Sequence, residues 1–207
     1  MLPAAMRVAW WLLLSRALAQ TAEPPVGAAQ IAPITDWTAS SSTGLALRQV
    51  SVPGDLISDL ERNNIIGDPL YEHTFLEGEP LWNEATWTYK ATFAGSAAAR
   101  ATLVFEGVKM HAVVSVNGVV VGAAADQFLR YAFDLRNATH DLLRATNVVE
   151  VAFAPGEDVG GRFMACSGGW DWAPYSRTFL NGSHAFSKGI WKEVYLATSS
   201  GVVVAAG

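Results

Sequence analysis

The chain has 207 residues, 51% of them hydrophobic and 16% charged. That is a globular rather than a disordered composition, sufficient for one domain with a real core but not comfortably for two. A formal charge of −5 with no basic run argues against nucleic acid and anionic membrane as partners. The single cysteine, Cys166, excludes any disulfide within the chain and leaves a buried thiol or a pairing with another segment as its roles.

Residues 1–19 read as a secretory signal peptide. Arg7 gives the positive end, 8–14 (VAWWLLL) the apolar centre, and Ala17-Leu18-Ala19 the small-x-small cleavage pattern. The apolar run is too short to span a bilayer. Two sequons, Asn137-Ala138-Thr139 and Asn181-Gly182-Ser183, agree with that route and mark Asn137 and Asn181 as glycosylation sites. The expected location is therefore secreted or lysosomal, within the endomembrane lumen, and the leader's Arg7 and Arg16 would be lost from the mature chain.

Residues 20–36, Pro- and Ala-rich at first, read as a flexible N-terminal arm, with a first short strand around Trp37. Leu45 to Val52 alternates and predicts a strand ending at Pro53-Gly54. Asp55 to Asn63 is the one good helix: Asp55 can cap it, and Leu56, Ile57 and Leu60 recur at helical spacing. Tyr71 to Asn83 reads as irregular, with Glu72, His73, Glu77, Glu79 and Trp82 scattered through it.

From Ala85 the period becomes two. Trp87, Tyr89, Ala91 and Phe93 share a face, and Leu103 and Phe105 continue the pattern. Val113 to Val121 around Asn117-Gly118 predicts a hairpin, because both turn positions need positive φ. Leu129 to Leu135, Val149 to Phe153 and Ile190 to Thr198 supply further strands. Seven or eight short strands and one helix, without βαβ alternation, predict an all-β antiparallel sandwich.

The richest stretch chemically is Gly168-Gly169-Trp170-Asp171-Trp172-Ala173-Pro174, in a chain with eight Trp. Two indoles around a carboxylate suit a sugar, whose apolar ring face stacks on an aromatic while its hydroxyls donate to the acid. The alternative is a core Trp pair with Asp171 capping a turn. Other chemistries are weaker. The four His (73, 111, 140, 184) are far apart, and His111 suits a core position in a strand, so no metal or cofactor is expected. There is no Gly-x-Ser-x-Gly elbow. Glu77 and Glu79, two acids close enough in sequence to suggest a glycoside-cleaving pair, read as solvated loop residues.

Several segments taken together resemble the N-terminal domain of β-mannosidases in glycoside hydrolase family 2. They are Val52-Pro53-Gly54-Asp55, Asp68-Pro69-Leu70-Tyr71, Trp87-Thr88-Tyr89-Lys90, Phe105-Glu106-Gly107-Val108, Val116-Asn117-Gly118, 128–134 (FLRYAFD), Trp170-Asp171-Trp172 and Gly189-Ile190-Trp191-Lys192. The order and spacing match from about Trp37 to Thr198. The resemblance implies a jelly-roll sandwich of the galactose-binding-domain type over 37–200. In the family it precedes an immunoglobulin-like domain and a catalytic (β/α)8 barrel that bears both catalytic glutamates. No catalytic residue carries over to this chain, and the barrel is expected to be absent from it. What carries over is a substrate-binding role for Trp170, Asp171 and Trp172 at the mouth of the barrel. The chain departs from the family pattern in a short 155–161, a long 175–187 and Ala173 in place of a common Gly.

The implied function is the sugar-binding domain of an exo-β-mannosidase. Its partners would be a β-mannoside or related glycan and the parent's catalytic domain. The alternatives are a stand-alone lectin-like module and an inert scaffold.

Overall fold

The computed structural model describes residues 29–71, 74–109, 112–155 and 188–200, with the side chains of Phe75, Leu76 and Glu79 excepted. Within these residues ten strands and two helices form two antiparallel sheets packed face to face. One sheet holds β1 (Gln30–Pro33), β10 (Val194–Ser199), β5 (Arg100–Phe105) and β8 (Tyr131–Arg136), in that order. The other has the order β3 (Ala46–Leu47), β2 (Thr38–Ser41), β4 (Trp87–Ala94), β9 (Thr146–Phe153), β6 (Ala112–Val116) and β7 (Val119–Ala124). From β4 onward the chain passes repeatedly between the sheets, which is the jelly-roll expected.

The alternation read from sequence is the alternation of burial. Along β4 the side chains of Trp87, Tyr89, Ala91 and Phe93 face the core and the intervening ones do not. Val149, Val151 and Phe153 of β9 lie beside them, with Phe153 edge-on to Tyr89 at 5.7 Å between ring centroids. Each such aromatic, fully removed from water, contributes on the order of 2–3 kcal/mol. The Asn117-Gly118 hairpin forms as predicted, with φ of 54° and 81° at its two turn residues.

Helix α1 spans Leu56–Arg62, and Asp55 caps it by accepting from the Ile57 and Ser58 amides at 3.0 and 3.2 Å. Leu56, Ile57 and Leu60 seat it on the core.

The structure corrects four expectations. The stretch read as irregular contains a second helix, α2 (Thr74–Asn83), despite Pro80 inside it. Its anchor is Trp82, wholly buried, whose burial outweighs the poor helical propensity of the segment. The predicted strand over 45–52 shrinks to Ala46–Leu47, because the Asn63 carboxamide takes the Arg48 and Gln49 amides at 3.0 and 3.2 Å and ends the ladder. Residues 30–33 of the expected arm form β1, paired with β10. Trp37 precedes β2 rather than lying in it, buried with its indole N–H on the Ile34 carbonyl at 3.0 Å.

The strands run between two poles. β4 starts at Trp87 and β9 ends at Phe153 at a helical pole that also carries α1 and α2. The Asn117-Gly118 turn, the 95–99 connection and the loop after β8 close the opposite, hairpin pole.

Candidate functional site

The described residues that flank 156–187, the stretch carrying Trp170, Asp171 and Trp172, lie at the helical pole. Before it comes β9, whose Phe153 pairs with Trp87 on one side and Ala112 on the other. The first described residue after it is Lys188, a buried lysine. Lys188 Nζ donates to the Trp82 carbonyl and, at 3.1 Å, to that of Ala85. The backbone then threads between the α1 cap and the end of β5. Leu56 N–H donates to Lys188 O at 2.8 Å, Lys109 N–H to Gly189 O at 2.9 Å, and Gly54 N–H to Ile190 O at 2.8 Å. Gly189 has φ of 136°, and a Cβ there would stand 2.8 Å from the Asp55 Cα. Only glycine fits such a conformation with backbone on that side.

A second cluster occupies the same pole. Glu106, just past β5, accepts from the Tyr195 hydroxyl at 2.6 Å on one carboxylate oxygen and from Arg130 Nε at 2.8 Å on the other. The Tyr195 hydrogen bond, then Arg130, holds the Glu106 carboxyl below its ordinary value, while Glu106 pushes the Tyr195 hydroxyl up. With both oxygens engaged and the charged form favoured, Glu106 works as an anchor rather than as a proton donor. It pins the 125–130 loop, which the Tyr131 hydroxyl also braces by accepting from the Ala125 and Asp126 amides at 3.0 and 2.7 Å. Trp191 donates its indole N–H to Gln127 O at 3.0 Å, and Lys192 Nζ lies 4.4 Å from the Trp191 ring centroid. Phe128 and Leu129, at the tip of this braced loop, are exposed.

A third network joins α1 to β4. Asp59 is buried and accepts from Ser51 N–H at 3.0 Å, Arg62 Nη1 at 2.5 Å and the Tyr89 hydroxyl at 3.3 Å. Burial raises its carboxyl above the ordinary value, and these partners oppose the rise.

This geometry has relatives. The family model described as "Glycosyl hydrolase 2 galactose-binding domain-like" matches residues 37–192. The chain belongs to that family. It is 31% identical over 192 residues to the β-mannosidase of Bos taurus, covering 77% of this chain and 20% of that one. It is 30% identical over 176 residues to β-mannosidase B of Aspergillus clavatus, covering 70% of this chain and 19% of that one. Among solved structures, the β-D-mannosidase of Dictyoglomus thermophilum superposes with a TM-score of 0.63 at 25% identity, over 82% of this chain and 22% of that one. The exo-chitosanase CsxA of Amycolatopsis orientalis, 19% identical with a TM-score of 0.57, shares the fold over 81% of this chain and 20% of its own. The chain thus spans about a fifth of the length of the curated relatives it matches.

The glycosyl hydrolase 2 match includes the whole of 156–187, although Trp170, Asp171, Trp172, Cys166, Asn181 and His184 lie outside the described residues, as do His73 and His111. Glu77 and Glu79 stand on α2 rather than in a loop, with Glu77 exposed. His140 is exposed, one ring nitrogen 3.0 Å from the Asp134 carbonyl oxygen. Among the described residues no helix is long and apolar enough to cross a membrane, and no three His, Cys, Asp or Glu gather as metal ligands would. Sequence reasoning missed the anchoring roles of Lys188 and Glu106. The available signal was a lysine directly before the Gly-Ile-Trp motif and a glutamate at a strand end with Arg130 in the next strand's approach.

Proposed function

We propose that this domain serves as the sugar-facing accessory domain of a β-mannosidase-type glycoside hydrolase. In this reading Trp170 and Trp172 offer aromatic faces to the ring of a terminal, non-reducing β-D-mannose, and Asp171 accepts from its hydroxyls. The glycosidic bond is broken, with retention, by a pair of carboxylates on polypeptide outside these 207 residues. The protein works in the lumen of the endomembrane system or outside the cell. No cofactor or metal enters the proposal.

One observation carries it. The family match runs through the segment bearing the Trp-Asp-Trp motif, and the described residues on either side of that segment, Phe153, Lys188 and Gly189, lie at one pole. In this reading the motif's three side chains meet a neighbouring domain's pocket at that pole.

The test is Asp171→Asn in the complete enzyme that carries this domain. Losing a charge-assisted bond to a sugar hydroxyl, about 1.5–3 kcal/mol, lowers kcat/KM for an aryl β-mannoside roughly ten- to a hundredfold with Tm unchanged. Unchanged kinetics with a lowered Tm would make Asp171 a structural residue and end the proposal. Residues 20–207 alone are expected to leave the aryl mannoside intact. Tight mannoside binding by that fragment without turnover would favour the lectin-like module instead.

A further inference from the structure

The hairpin pole holds a feature that the sugar-facing reading leaves unused. Asn137 follows the last residue of β8 in a short loop whose next three residues, Ala138, Thr139 and His140, are exposed. The loop is held on both sides. Asn137 N–H donates to His140 O at 3.0 Å, and Arg136 bonds Asp141 Oδ2 at 2.8 Å and the Ala98 carbonyl at 3.2 Å. Inside it, the Asn137 side-chain oxygen accepts from the Thr139 hydroxyl and amide, both at 2.8 Å, and from the His140 amide at 3.3 Å. The carboxamide is therefore fixed by its oxygen alone. Its Nδ2 makes no hydrogen bond to any described residue.

We infer that Asn137 is an N-glycosylation acceptor whose glycan projects from the pole opposite Phe153, Lys188 and Gly189. A hydroxyl donating to the amide oxygen withdraws charge from the carbonyl side of the acceptor, and the nitrogen is left for reaction. The donor is a lipid-linked oligosaccharide diphosphate brought by a membrane-bound transferase. The Nδ2–C1 bond to the sugar forms as the C1–O bond to the diphosphate breaks. The lipid diphosphate leaves with that electron pair, and the amide proton passes to a base of the transferase. Placement matters as much as chemistry. The strands between the two poles separate Asn137 from Lys188 and Gly189, so a bulky glycan there leaves those two residues untouched.

The inference rests on the reading of 1–19 as a leader, so the experiment reads entry and modification separately. The full chain is translated with and without microsomes, protease protection reports translocation, and peptide mass after glycosidase release reports Asn137 converted to Asp. The expected result is a protected chain carrying a glycan on Asn137. Asn137→Gln and Thr139→Ala lose it, whereas Thr139→Ser, which keeps the hydroxyl, retains it. A protected chain with Asn137 unmodified overturns the site itself. A chain left outside the microsomes overturns it together with the leader reading.

Discussion

The two poles of this sandwich are built on different principles. At the hairpin pole the closures are local or lie between neighbouring turns. Asn117 takes positive φ in a two-residue turn, and its carboxamide donates to the Leu142 carbonyl at 2.8 Å and accepts from Val148 N–H at 3.0 Å. Asn147 serves the 144–147 turn in the same way, accepting from Arg144 N–H at 2.8 Å. At the helical pole the closures join distant residues: Lys188 reaches the Trp82 carbonyl across 106 positions and Tyr195 reaches Glu106 across 89. Short turns hold strands together. Long-range locks hold residues that local turns could not bring together. The difference implies that mutations at the helical pole act on the candidate site and on stability together, while those at the hairpin pole act on stability alone.

The largest expected effect tests that contrast with two positive-φ glycines, one at each pole. Gly189→Ala places a Cβ 2.8 Å from the Asp55 Cα and 3.0 Å from the Gly54 carbonyl oxygen, both backbone atoms that cannot swing away. Strain and clash together should cost about 3 kcal/mol. Gly118→Ala meets nothing within 4 Å and carries only the φ penalty, about 1 kcal/mol. Urea denaturation of the two variants measures the difference. Equal losses would mean that the chain's return at 188–190 is not locked as described.

Next comes Lys188→Met, which keeps the length of the side chain and removes its donors. Two carbonyls, those of Trp82 and Ala85, lose a hydrogen-bond partner in a buried place, and the expected loss is about 2 kcal/mol. In the complete enzyme the same change should lower kcat/KM on a mannoside more than Gly118→Ala does. The readout is both variants assayed at a temperature where each is fully folded. An effect on stability alone would detach Lys188 from the site.

What could be read from the sequence follows the same divide. The Asp55 cap, the β4 alternation and the Asn117-Gly118 turn each depend on residues within a few positions of one another, and each appears in the structure as read. α2 was hidden because Pro80 and Gly78 argue against a helix locally, whereas its reason to form is the burial of Trp82 beneath it. β1 carries no alternation to read: its four side chains are all exposed, and it is held by backbone pairing with a strand more than 160 positions later. The Trp-Asp-Trp stretch announced itself by composition. Its supports did not, since a lysine becomes an anchor only when the fold brings two carbonyls to it.

The smallest effect distinguishes two carboxylates by the sign of their pH dependence. Glu106 has its folded-state pKa lowered, first by Tyr195 and then by Arg130. Its contribution is therefore full above the ordinary glutamate value, about 4.3, and is lost as pH falls through the lower folded value. Asp59 has its folded-state pKa raised, chiefly by burial, so the opposite holds. The stabilisation linked to its proton is present below the ordinary aspartate value, about 3.9, and is lost as pH rises through the folded one. Glu106→Gln should cost about 1 kcal/mol at pH 7, a modest figure because Arg130 is largely exposed and screened by solvent. The deficit should shrink as pH falls through the lowered folded-state value, where the wild-type carboxyl is itself protonated. Asp59→Asn should instead show a deficit that widens with acidification, since protonation favours the folded wild type, whose buried carboxyl has its pKa raised, and gives the amide nothing. Urea midpoints of both variants and the wild type from pH 3 to 7 provide the comparison. A Glu106→Gln deficit that stays constant across that range would mean that the residue holds its pole by shape rather than by charge.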